Sequence, residues 1–177
     1  MPIKLIFGAL ISAAVLTSAV ESAADEYHVK GAFVLNFAKF VEWPPEVFKT
    51  STDPIVICVL GENPFGPGFD KAAEGTLIAS RPVRVKYLSD AQQAGQCQIA
   101  FVSASQRKLS KLLLMAAQNG SILTVGESEG FTASGGVIGF KLDGDKIRIE
   151  ISTAAADRAK LHISAKLLSL ALAAGKK

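Results

Sequence analysis

The sequence predicts a single α/β domain, a mixed β-sheet of about six strands flanked by helices on both faces. Three observations predict it. Ile55-Val-Ile-Cys-Val-Leu60 and Cys97-Gln-Ile-Ala-Phe-Val102 are short apolar runs of the kind found in central strands covered on both sides. Segments with helical spacing of apolar residues interleave with strand-like runs through the first two thirds of the chain. The last third reads as a hairpin, Val137–Leu142 and Lys146–Ile151 around Asp143-Gly144-Asp145, followed by a long helix.

In chain order, Lys4 supplies a positive start, Leu5 to Ala19 is an apolar run, and Ser22-Ala23-Ala24 offers the small residues that a signal peptidase reads. Residues 1–24 are expected to be an export signal and residues 25–177 the mature domain. No second run of spanning length follows, and Asp25 rather than Cys stands immediately after the expected cut, so a soluble protein without a lipid anchor is expected outside the inner membrane. Tyr27–Val41 carries Val29, Phe33, Phe37 and Phe40 or Val41 on one helical face, and Trp43-Pro44-Pro45 is expected to end that helix. After the strand at Ile55–Leu60, the Gly61–Gly68 loop is broken by two prolines and three glycines, and a short helix is expected around Asp70–Glu74. Pro82–Leu88 alternates Val83, Val85 and Tyr87 against Arg84 and Lys86, a half-buried strand. Ser105 is expected to cap a helix bearing Leu109, Leu112, Leu113 and Ala116, with Gly120 at its end. Ile122–Val125 reads as another strand. Thr153 is expected to cap one continuous helix from Ala154 to about Ala173.

The net charge is +3 at pH 7, and the leader removes one base and one acid, so it stays there. The basic residues are spread rather than clustered, which argues against nucleic acid as a partner. Cys58 and Cys97 are the only cysteines. In an oxidising compartment the even count suggests one disulfide, the alternative being two buried free thiols. Neither has a Cys or His within ligand spacing, and His28 and His162 stand alone on their elements, so no metal site is expected.

No catalytic residue is expected either. No serine occupies a Gly-x-Ser-x-Gly elbow, the Gly61–Gly68 loop lacks both the dinucleotide pattern and the Lys-Ser/Thr of a phosphate loop, and no cofactor is implied. That loop reads as a structural turn or as a ligand or partner contact. Glu127 and Glu129 form a carboxylate pair that suits a solvated loop better than acid-base chemistry. The candidate partner-binding residues are the loop aromatics Trp43, Phe65 and Phe131, each beside Gly or Pro.

Six ordered segments carry a family resemblance. They are Val29-Lys30-Gly-Ala-Phe33 through Trp43-Pro44, Ile57-Cys58-Val-Leu-Gly61 with Asn63-Pro64-Phe65-Gly66, Arg81-Pro82-Val83, Ile122 through Gly126-Glu-Ser-Glu-Gly130-Phe131, Gly135-Gly136-Val-Ile138, and Ala156-Asp157-Arg158 through Leu168. Together they resemble the YfiR-like family of bacterial periplasmic proteins. The resemblance implies an α/β domain, often dimeric, with no known catalytic activity. It implies a repressor that binds the periplasmic sensor domain of an inner-membrane diguanylate cyclase, with relief by an OmpA-like outer-membrane lipoprotein, so that cyclic di-GMP and biofilm formation are controlled from outside the inner membrane. It also places a disulfide on the strands of Cys58 and Cys97. The family's second cysteine pair, around the Gly-Gly segment, is missing here, where Thr132, Ser134 and Gly139 stand. A periplasmic solute-binding protein is the alternative reading, using the loops at the strand ends as a pocket.

Overall fold

Ile55–Leu60 is buried at all six positions, as expected of a strand enclosed on both faces. The computed structural model describes residues 14–175 and the side chains of residues 23–171. Residues 1–13 of the expected leader lie outside the described residues. The elements are α1 (Ala14–Phe37), β1 (Val41–Glu42), β2 (Ile55–Leu60), α2 (Gly68–Ala73), β3 (Leu77–Ile78), β4 (Arg81–Leu88), β5 (Ile99–Val102), α3 (Arg107–Ala116), β6 (Leu123–Gly126), β7 (Ile138–Asp143), β8 (Lys146–Ile151), α4 (Thr153–Arg158), β9 (His162–Ile163) and α5 (Ala165–Gly175). Seven strands form one mixed sheet in the order β3-β4-β2-β5-β6-β7-β8, and β1 pairs separately with β9. The neighbours from β4 to β7 are parallel, whereas β3 and β8 close the two rims antiparallel. Among the described residues no helix is long and apolar enough to cross a membrane.

Alternation along the strands creates two unequal layers. On one face, Ile57, Val59, Ile99, Phe101, Leu123 and Val125 pack beneath α1, α2 and the segment from α4 to α5. Phe33, Phe37 and Phe140 add an aromatic cluster there, with ring centroids 5.9 to 6.2 Å apart. On the other face, Cys58, Leu60, Ala100 and Val102 meet α3 and the 3-10 turn at Ala91–Gln96. This second layer leans on Ala91, Ala94 and Ala100, whose methyl groups remove little apolar area from water. Gln98 stitches the amino ends of the strands together: its side-chain oxygen accepts from the Val56 amide at 2.8 Å, and its carbonyl accepts from the Leu123 amide.

The structure departs from the sequence expectations at several elements. The first helix ends at Phe37, not Val41, because Val41 and Glu42 pair with Ile163 and His162. The last helix is two helices. Lys160 adopts φ 55°, the Lys160 amide donates to the Asp157 carbonyl and the Leu161 amide donates to the Ala156 carbonyl, which is a Schellman stop. After β9, Ser164 restarts the helix by accepting the Leu167 amide at its hydroxyl. Ser152, not Thr153, caps α4. Ser105 caps nothing: its hydroxyl lies 2.9 Å from that of Ser103, and α3 starts after Gln106. Tyr87 is exposed rather than buried, since its hydroxyl donates to Asp70 at 2.6 Å and accepts from Asn63 at 3.1 Å. Strand β3 was not expected.

Cys58 and Cys97 are joined by a disulfide, with Cα atoms 5.9 Å apart, in the alanine-rich layer. The double substitution C58A/C97A is expected to lower unfolding free energy by up to about 4 kcal/mol, the loop-entropy value for a 39-residue separation, with the same elements retained. Urea unfolding of the two proteins, followed by circular dichroism, checks this.

Candidate functional site

In a doubly wound sheet, ligands sit outside the carboxyl ends of the strands where the strand order reverses. Here the parallel strands run second, first, third, fourth, fifth in chain order, so the reversal lies between β2 and β5. The chain covers that point with its own side chains. Phe65, from the Gly61–Gly68 loop, packs with its centroid 4.6 Å from Phe101 of β5 and 4.5 Å from Phe69 of α2, and Tyr27 of α1 meets it edge-on at 6.2 Å. The Asn63 side chain locks this loop by accepting the Phe65 amide and donating to the Gly66 carbonyl.

A second feature lies at the end of β6. Parallel neighbours are usually joined through a helix, yet β6 reaches β7 through residues 127–137 without one. Phe131 takes the place of the missing apolar element, and two glycines make room for it. A Cβ on Gly126 would fall 2.5 Å from the Phe131 ring, and one on Gly136 would fall 2.2 Å from it. Thr132 then donates to Glu150 of β8 at 2.5 Å, and the bonds from Thr132 and Lys141 hold the Glu150 carboxyl below its usual value.

The same crossover begins with a buried charge cluster. The Glu127 side chain is almost wholly enclosed, and its Oε1 lies 2.6 Å from the Lys30 ammonium of α1, which is equally enclosed. Lys30 also pairs with Glu26 one turn earlier. Glu127 Oε2 accepts from the Tyr27 hydroxyl at 3.1 Å and from the Ala104 amide at 3.0 Å. Burial, followed by the Glu127 charge, holds the Tyr27 phenol well above the usual tyrosine range. One carboxylate thus joins α1, the β5–α3 turn and β6. The adjoining cleft, about 500 Å³, is rimmed by Glu129 and Lys141, and a neighbouring cleft of about 390 Å³ lies between Glu129 and Arg107.

The three loop aromatics singled out from the sequence do not form one exposed surface. Phe65 is 8 % exposed and Phe131 2 %, and they lie in opposite layers. Trp43 is half-buried at the amino ends of the strands, its indole N–H donating to the Gln98 carbonyl at 3.2 Å. Their rings shape loops from within. One exposed apolar patch lies elsewhere, where α1 meets the β7–β8 hairpin. Val29 is 44 % and Leu142 56 % exposed, and with Phe33 and Ile147 they line an open groove of about 850 Å³ edged by Asp25, Glu26, Lys146 and Arg148. Sequence reasoning missed this groove and the Lys30–Glu127 pair. The signal for the pair was a lysine at helical spacing from Val34 and Phe37, on the side of α1 that faces the core.

The described residues hold no cluster of three or more His, Cys, Asp or Glu arranged to bind a metal ion. Cys58 and Cys97 are committed to their bond. The YfiR/HmsC-like family matches residues 27–172 of the chain. No curated protein matches it.

Two substitutions test the packing. Gly136→Ala is expected to cost about 1–3 kcal/mol through overpacking against Phe131, and Phe131→Leu in the same chain to recover part of that loss. A double-mutant cycle by denaturant unfolding reads the coupling. Lys30→Met, which leaves Glu127 buried without its cation, is expected to destabilise by about 3–5 kcal/mol, and adding Glu127→Gln to restore much of it. Thermal unfolding of the single and double variants at one pH decides it.

Proposed function

The chain belongs to the YfiR/HmsC-like family, a family of periplasmic regulators of diguanylate cyclases, and from that premise we propose that it is a periplasmic repressor acting by contact. Its target is the periplasmic sensor domain of an inner-membrane diguanylate cyclase. Docking there favours the quiet conformation of the enzyme, lowers cyclic di-GMP in the cytoplasm and restrains biofilm formation. A repressor of this kind needs only to bind one conformation better than the other. A preference of about 3 kcal/mol shifts a two-state enzyme by more than a hundredfold.

Family membership over nearly the whole domain carries this reading. The enclosed disulfide fits an oxidising compartment, and an export signal at residues 1–24 would deliver the chain there. An OmpA-like outer-membrane lipoprotein that captures the repressor, and association of two copies, belong to the same proposal. The docking surface is the groove between α1 and the β7–β8 hairpin, where Val29 and Leu142 offer apolar area and the charged edge offers selectivity. Phe65 and Phe131 support it by fixing the neighbouring loops, and Trp43 by holding β1 in place.

The test is direct binding of residues 25–177 to the purified periplasmic domain of a diguanylate cyclase encoded beside it. Micromolar or tighter binding is expected, with Leu142→Asp weakening it at least tenfold while leaving the melting temperature unchanged. Absence of binding would remove the proposed target. Equal binding by the Leu142→Asp protein would move the interface away from the hairpin.

A further inference from the structure

Away from the hairpin groove, α3 of one layer and α4 of the other flank an open groove of about 600 Å³ beside β6. Its apolar wall comes from Leu114 and Met115 of α3, Ile122 ahead of β6 and Ala155 of α4. Met115 is 66 % exposed at the rim of this wall. The charged lining is of one sign. Arg158, at the end of α4, and Lys111 of α3 are its ionisable groups, and no Asp or Glu lines it. The three other clefts described above each hold two or more acids, so this groove is the electrostatic exception among them. Neither Arg158 nor Lys111 takes part in an ion pair among the described residues.

We propose that this groove binds a small amphiphilic anion, a carboxylate carried on a short acyl or aryl body. The planar guanidinium of Arg158 offers two parallel N–H donors to a carboxylate, and the Lys111 ammonium adds a second positive charge from the facing helix. The amide side chains of Gln118 and Asn119 supply further polar contacts at the groove margin. The apolar wall covers the body of the ligand. A volume of about 600 Å³ lies within the range of small-molecule sites. The site is independent of the docking surface on the hairpin side, so it gives the protein a means of sensing a metabolite while its other face is engaged.

The experiment is titration calorimetry of residues 25–177 with octanoate and with 1-naphthoate. Octanol supplies the apolar body without the charge, and inorganic phosphate supplies the charge without the body. At least one of the two carboxylates is expected to bind at least tenfold more tightly than either comparison compound. Arg158→Gln and Lys111→Gln, both on exposed helix positions, are each expected to weaken that binding at least tenfold without changing the melting temperature. Failure of both carboxylates to bind, binding of octanol as tight as that of octanoate, or unchanged affinity in both variants would overturn the proposal.

Discussion

A lysine enclosed between two carboxylates ties α1 to the rest of the molecule. Lys30 has little solvent to hydrate it, so its position is tolerable only because Glu26 and Glu127 face it, and Glu127 in turn is anchored by the Tyr27 hydroxyl and the Ala104 amide. Hydrophobic packing of Val34 and Phe37 holds α1 onto the sheet without dictating where along the sheet it sits. The ion pair supplies that register, since sliding the helix by one turn would strand a charge. From it follow the position of Tyr27 against Phe65, the closure of the point where strand order reverses, and the groove between α1 and the hairpin.

The two layers are stabilised by different means. The α1 side has phenylalanines, leucines and isoleucines in quantity, and burial is its main source of stability. The α3 side is the smaller cluster, in which Leu60, Leu88, Val102, Leu113 and Ile122 pack with three alanines, and Phe131 is seated between Gly126 and Gly136. The disulfide lies in this poorer layer, where a covalent bond compensates for a small apolar area. Near the Gly-Gly segment the Thr132–Glu150 hydrogen bond fastens the crossover to β8.

The sheet was legible from the sequence because its signals are local. Ile55–Leu60 and the Asp143-Gly144-Asp145 turn announce themselves within eight residues, and the disulfide follows from two cysteines in a chain expected to be exported. The split of the last helix was not legible. Leu161, Ala165, Leu168 and Leu172 keep helical spacing straight through the break, and the reason for the break is a pairing with Val41 and Glu42, more than a hundred residues away. The burial of Phe65 and Phe131 was hidden for a similar cause: a loop aromatic looks the same in sequence whether it points outward or fills a space left by distant glycines. The hairpin groove needed Val29 and Leu142 to be brought together by the fold, and no short-range pattern links them.

Strand β8 forms one rim of the sheet, and its outer backbone is unpaired among the described residues. Such a rim is a template on which further copies of the same segment can stack. The charges of β8 oppose this. If identical chains stacked in parallel register, Lys146 would meet Lys146, Arg148 would meet Arg148 and Glu150 would meet Glu150, a ladder of like charges at every second position. The charges of this rim therefore disfavour an in-register parallel pairing of two copies through β8.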